Sequence, residues 1–137
     1  MEIVVDSSVI SKWYLMERYS EEALKLRGKY VTGELEISAP CFMPAEVMKV
    51  IETAVRSEES LVEISKSLTL YGFRLYPISY MGEKAATLAW ENDMDFLEAC
   101  YVALAEIQRV PLVTADDVLY ESLKGKFTWI KHVRGFT

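Results

Sequence analysis

A chain of 137 residues that is 51% hydrophobic and 26% charged has the balance of a folded globular protein, which excludes a disordered or low-complexity one. Its length fits one domain, residues 1–137, able to bury about two thirds of its unfolded surface. A formal net charge of −6 argues against a partner held by Lys and Arg alone, and no apolar run approaches the roughly 20 residues of a membrane span.

In chain order, "EIVV" reads as a short apolar strand bounded by Asp-Ser-Ser, and "SEEALKLRGKYV" as an amphipathic helix. "LEISAP" is a second strand, stopped by Pro40. "PAEVMKVIETAV" is a helix with Pro44 in its first turn and Val47, Val50, Ile51 and Ala54 at helical spacing. "ESLVEISKSLTLYG" repeats that pattern through Leu61, Ile64, Leu68 and Tyr71, with Gly72 as its stop. "FRLYP" is a third strand. "GEKAATLAWEN" and "DFLEACYVALAEIQ" are two further helices, the second so apolar that it should pack centrally. "PLVTADD" has the form of the opening, an apolar strand that ends on carboxylates. A short helix over 118–123 and a last strand, "TWIKHV", complete the order.

Short, continuously apolar strands alternating with helices predict an α/β fold, a three-layer α/β/α sandwich with a mainly parallel central sheet. The start, Met-Glu, lacks the basic and apolar segments of a signal peptide. Cys41 and Cys100 fit no zinc or redox spacing and sit among apolar neighbours, so both are expected as buried thiols in a reducing, cytoplasmic compartment. Aromatic residues Trp13, Tyr14, Tyr19 and Tyr30 are expected mainly in packing, with a partner surface as the other use.

In parallel sheets ligands bind beyond the carboxyl ends of the strands. Asp6 and Asp116 both follow strands there, and Glu46 and Glu98 lie near helix starts that should face the same edge. Each has a structural alternative: Asp6 and Asp116 as helix caps, Glu46 as an acid favoured by the helix dipole, and Asp95 with Glu98 as a capping box. The joint pattern is what points to chemistry. Two ionised carboxylates about 5 Å apart repel by roughly 3 kcal/mol at an effective dielectric near 20. A gathered set therefore either protonates or holds a cation, and oxygen donors without His or Cys favour Mg²⁺ or Mn²⁺. Such a centre suits phosphodiester hydrolysis. The end segment "KGKFTWIKHVRGFT" carries Lys124, Lys126, Lys131 and Arg134 with no acid, so it reads either as a solvated basic strand or as a nucleic-acid contact. His132 is expected at the surface or close to RNA.

The stretches "VVDSSVISKW", "PAEVMKVI", "LEACYVALAE" and "PLVTADDVL", in this order and over nearly the whole chain, resemble a PIN domain, and more narrowly the VapC ribonuclease toxins of toxin–antitoxin pairs. The resemblance implies a PIN-like α/β/α fold and a Mg²⁺- or Mn²⁺-dependent endoribonuclease that leaves a 5′-phosphate and a 3′-hydroxyl. It implies Asp6, Glu46, Glu98 and Asp116 as catalytic and metal-binding acids, with Ser8 and Thr114 supporting them. It also implies RNA as substrate, a VapB-type antitoxin as partner and a homodimer. Glu98 departs from the family, which usually has Asp there, and one methylene moves a carboxylate by more than about 1 Å where Mg²⁺ demands close geometry. Asp95 or Asp93 for Glu98, and Asp117 beside Asp116, are the substitutes within reach. The alternative is therefore a catalytically impaired PIN-like module acting through dimerisation or antitoxin docking. Phosphatase and adhesion-site patterns of the type Asp-x-Asp and Asp-x-Ser-x-Ser fail at Ser8 and Ile10.

Overall fold

A computed structural model describes residues 1–136; Thr137, the last residue of the basic end segment, lies outside the described residues. The first strand, β1 (Glu2–Val5), carries Ile3, Val4 and Val5, all fully buried. Burial of successive residues means that both faces of the strand are covered, as the uninterrupted apolar run requires. Strand β1 pairs in parallel with β2 (Glu36–Pro40), Ile3 opposite Ile37, and with β4 (Leu112–Thr114), Val5 opposite Val113. Strand β3 (Arg74–Tyr76) lies outside β2 and β5 (Ile130–His132) outside β4, giving the all-parallel order β3-β2-β1-β4-β5.

The chain builds outward from β1 to β3, then returns to the far side of β1 for β4 and β5. Right-handed crossovers then place α1 (Ser7–Ser11), α2 (Ser20–Val31), α3 (Met43–Glu52) and α4 (Glu58–Leu70) on one face. Helices α5 (Ile78–Asn92) and α6 (Phe96–Gln108) take the other, where they pack on each other and α6 lies against β1, β2 and β4. Helix α7 (Asp117–Leu123) and a last turn, α8 (Val133–Phe136), close the β4–β5 end. The order of strands reverses between β1 and β4. The crevice at the carboxyl ends of those two strands is the topological switch point where such sheets bind ligands.

Boundaries follow local chemistry. Ser57 caps α4 by accepting from the Ser60 amide, Asp95 caps α6 by accepting from the Leu97 and Glu98 amides, and Gly72 supplies the left-handed residue (φ 66°) that ends α4. As the cap reading of Asp6 allows, the residues after "EIVV" form a helical turn, α1, started by Asp6. Three other expectations change. The final strand is shorter than "TWIKHV", because Val133 already begins α8. Cys41, at the end of β2, is exposed, although Cys100 is buried as expected. His132 is buried as well, 4% exposed, and not at the surface. Trp13 packs among Tyr30, Tyr71 and Phe73 with its indole N–H on the Ala23 carbonyl (2.9 Å), so its role is the core. Among the described residues no helix is long and apolar enough to cross a membrane.

The most apolar helix is the most enclosed: Ala99 to Ala105 on α6 are all buried. Leu104→Ala should therefore lower the free energy of unfolding by about 2–5 kcal/mol in urea titrations. Trp90→Ala on α5, where the ring is 89% exposed, should change it by no more than about 0.5 kcal/mol.

Candidate active site

The two central strand tips are tied together by side chains. Asp6 ends β1, its amide donating to the Val113 carbonyl of β4 (3.3 Å). Its Oδ1 accepts from the Ser8 amide (3.1 Å), which starts α1, and from the Ser8 hydroxyl (2.5 Å). The Ser8 Oγ in turn accepts from the Ala115 amide (2.9 Å), just beyond β4. Its contact with Thr114 Oγ1 is long, 3.4 Å. Thr114 Oγ1 accepts from the Asp116 amide (3.0 Å), and Asp116 Oδ1 caps α7 through the Leu119 amide (3.0 Å). Both hydroxyls that the sequence singled out, Ser8 and Thr114, thus stand between the two acids.

Two helices bring the remaining acids. Glu46 sits in the first turn of α3, and its Oε1 accepts from the Tyr101 hydroxyl of α6 (2.5 Å). Tyr101 is buried and packs edge-on against Phe42 at 5.5 Å. Burial first, then its bond to Glu46, push the phenol above its ordinary range, so it remains a donor. Glu98 lies in the first turn of α6, three residues before Tyr101 and on the same helical face. Asp6, Glu46, Glu98 and Asp116 line one cavity of about 120 Å³, whose walls are completed by Ser7, Ser8, Tyr101 and Leu119. The other acids go elsewhere: Asp95 caps α6, Asp93 ends α5 in a left-handed conformation, and Asp117 is bonded to Tyr19 and His132.

The acids feel one another. Burial pushes the Asp6 carboxyl up to about 6, opposed by the hydroxyls of Ser8 and Thr114 and reinforced by the charge of Asp116. Glu98 is raised too, by partial burial first and then by the charges of Asp95, Asp116, Asp6 and Glu46. Among the described residues no group of three or more His, Cys, Asp or Glu side chains stands close enough to hold a metal ion. All polar side-chain groups on the wall are oxygens, and the cavity has room for a cation with waters. In kind, though not in their present spacing, these donors fit Mg²⁺ or Mn²⁺. A larger cavity of about 680 Å³, around Arg56 and Leu61, lies where α3 gives way to α4 and contains none of the four acids.

Of the basic residues singled out, Arg134 and Lys124 lie beside α7, Arg134 paired with Asp117 (3.3 Å) and Lys124 with Glu121 (2.7 Å). Lys126 is exposed in the loop before β5. Lys131 instead lines a cavity of about 570 Å³ with Arg109, Pro111 and Trp129, at the opposite edge of the sheet. Tyr101 and Ser7 were assigned no role from sequence. The i, i+3 relation of Glu98 and Tyr101 was the one signal for Tyr101; nothing local marked Ser7.

The raised Asp6 carboxyl makes stability depend on pH. Well below about pH 4 Asp6 is protonated in both states. As pH rises toward 6 the unfolded chain ionises first, and the native state loses up to about 3 kcal/mol. In chelator, Asp6→Asn should be more stable than the parent at pH 7.5, with the gap closing toward pH 4, as read from urea unfolding at each pH.

A family model described as the PIN domain matches residues 3–122. No curated protein matches the chain. Among solved structures, a chain of "Toxin-antitoxin complex from Klebsiella pneumoniae" aligns with a TM-score of 0.62 over 96% of this chain and 97% of that one, at 17% identity. At that identity the likeness carries the fold. The family match is broader in meaning, for it runs from Ile3 in β1 to Ser122 in α7 and encloses all four acids of the cavity, so the chain belongs to the PIN domain family.

Proposed function

We propose that this chain is a Mg²⁺- or Mn²⁺-dependent endoribonuclease, the toxin of a VapBC-type toxin–antitoxin pair. The observation that carries the reading is the meeting of Asp6, Glu46, Glu98 and Asp116, from four separate segments, around one small cavity at the switch point of the sheet. Family membership supports it, as does the structural likeness to a chain of a toxin–antitoxin complex. An antitoxin and a second copy of this chain are the partners in this reading.

A bound divalent ion would lower the pKa of the attacking water and offset charge building on the phosphate oxygens. The four acids would hold it. Ser8 and Thr114 orient the Asp6 carboxylate and favour its charged form; Tyr101 keeps Glu46 turned to the cavity with a proton it does not give up. Glu98, raised by partial burial and then by its acidic neighbours, would be eased toward its charged form by a cation among them. The impaired-module alternative rests on Glu98 standing where the resemblance implies Asp.

Mixed RNA incubated with Mn²⁺ should be cut by the parent and not by Asp116→Asn or in chelator; intact RNA in all three would favour the impaired module. Calorimetric Mn²⁺ titration should show binding to the parent and its loss in Asp6→Asn, and equal heats would defeat the metal centre. Tyr101→Phe, which frees Glu46 from its donor, should weaken Mn²⁺ binding about tenfold without abolishing it, measured by the same titration.

A further inference from the structure

One residue past the acid cavity a second polar group is assembled. The Asp117 carboxylate receives the Tyr19 hydroxyl (2.9 Å), His132 Nε2 (2.8 Å), Arg134 Nη1 (3.3 Å) and Arg18 Nη1 (3.5 Å). The Arg134 backbone amide donates to His132 Nδ1 (3.1 Å), so the ring carries its hydrogen on Nε2 and gives it to Asp117. The His132 ring lies between two tyrosines, edge-on to Tyr19 (4.6 Å) and to Tyr120 (5.4 Å). Each tyrosine bears cations on its face: Arg18 over Tyr19 at 4.8 Å, and Arg134 and Lys124 over Tyr120 at 5.6 and 5.7 Å.

Two features set this group apart from ordinary surface pairing. Two guanidiniums share one carboxylate at long distances, and their side chains stay 78% and 47% exposed, so the group keeps net positive charge in a chain of net charge −6. Tyr19 adopts a left-handed backbone conformation (φ 72°) that a bulky residue rarely takes, at the start of α2 and without a side-chain cap bond. Such strain persists where the surroundings over-determine it and clusters at working sites. Here the conformation accompanies a Tyr19 hydroxyl seated on Asp117 and an Arg18 guanidinium seated on the Tyr19 ring.

We propose that Arg18, Tyr19, Tyr120 and Arg134 form the surface that holds the single-stranded RNA segment next to the bond cut in the acid cavity. The inference rests on the ribonuclease reading and names the part of the molecule that binds its substrate. Guanidiniums take phosphate oxygens in forked pairs, and a phosphate is a stronger partner for Arg18 and Arg134 than the shared Asp117 carboxylate at 3.3–3.5 Å. As Arg18 and Arg134 turn from the rings to phosphate, the Tyr19 and Tyr120 faces they cover are freed to stack unpaired bases. The cavity acids repel phosphate, so an adjoining cationic, aromatic surface supplies the attraction that the centre itself lacks.

The test is the binding of a short, unstructured, fluorescently labelled oligoribonucleotide by fluorescence anisotropy, in chelator and in an Asp6→Asn background so that nothing is cut. Adding Arg18→Ala or Arg134→Ala should weaken binding about threefold to tenfold and lower the slope of log affinity against log salt by about 0.7 for each charge removed. Tyr19→Ala should cost about fivefold or more with loss of stacking. Lys66→Ala on α4, the same charge change at an exposed pair with Glu63, should leave affinity unchanged. Unchanged affinity and slope in both arginine variants would overturn the proposal, as would an equal loss in Lys66→Ala. The two readings fail separately. Parent protein that cuts RNA with Mn²⁺ while the arginine variants bind normally refutes this surface alone. Arginine-dependent binding without any Mn²⁺-dependent cutting supports the surface and refutes the nuclease.

Discussion

A carboxylate at the end of the central strand, out of water and at the seam of the sheet, is the constraint around which the rest is arranged. Asp6 is 5% exposed and is followed at once by a helix, so its charge has to be met locally. Ser8 meets it twice, through its amide and its hydroxyl, and then spends its lone pairs on the other strand at Ala115. One hydroxyl thereby links Asp6 at the tip of β1 to the backbone just beyond β4. These bonds lessen the cost of ionising Asp6 but do not cancel it, and burial still holds the carboxyl near 6. A cation in the cavity would remove the remainder.

Capping a helix and lining the cavity are not rival roles. Asp6 starts α1 and Asp116 starts α7, each through Oδ1, and both still line the cavity. A carboxylate has two oxygens, and one suffices to accept from a backbone amide. The cap holds the side chain in a single orientation, which a ligand needs, and the positive end of a helix favours its charged form. Glu46 is held differently. It reaches the cavity from the first turn of α3 and is oriented from across the cavity by Tyr101, so helices from opposite faces of the sheet are joined there by one hydrogen bond.

Asp116 and Asp117 show how little sequence distance separates two environments. The first caps α7 and lines the acid cavity. The second turns to Tyr19, His132 and two arginines, and its carboxyl is held below the usual range chiefly by the Tyr19 hydroxyl. Around α7 the molecule thus places a negative pocket beside a positive, aromatic surface.

Much of this was legible without coordinates. The consecutive β-branched residues of "EIVV" and "PLVT" demanded a doubly covered parallel sheet, and the cap residues Asp6, Asp95 and Asp116 marked helix starts, because these effects act over a few residues of chain. Strand tips named Asp6 and Asp116, and helix starts named Glu46 and Glu98. Local pattern failed where burial is decided by distant neighbours. Cys41 has apolar residues around it in sequence yet faces solvent, and His132 sits in a basic tail yet is enclosed by Tyr19 and Tyr120. Nor could spacing show that Tyr101 holds Glu46, 55 positions away. Periodicity and turn chemistry, being local energies, determined the elements and the acids at their ends. Only the tertiary structure, in which long-range packing chooses who meets whom, decided that four acids share one cavity and that Asp117, beside them in sequence, does not.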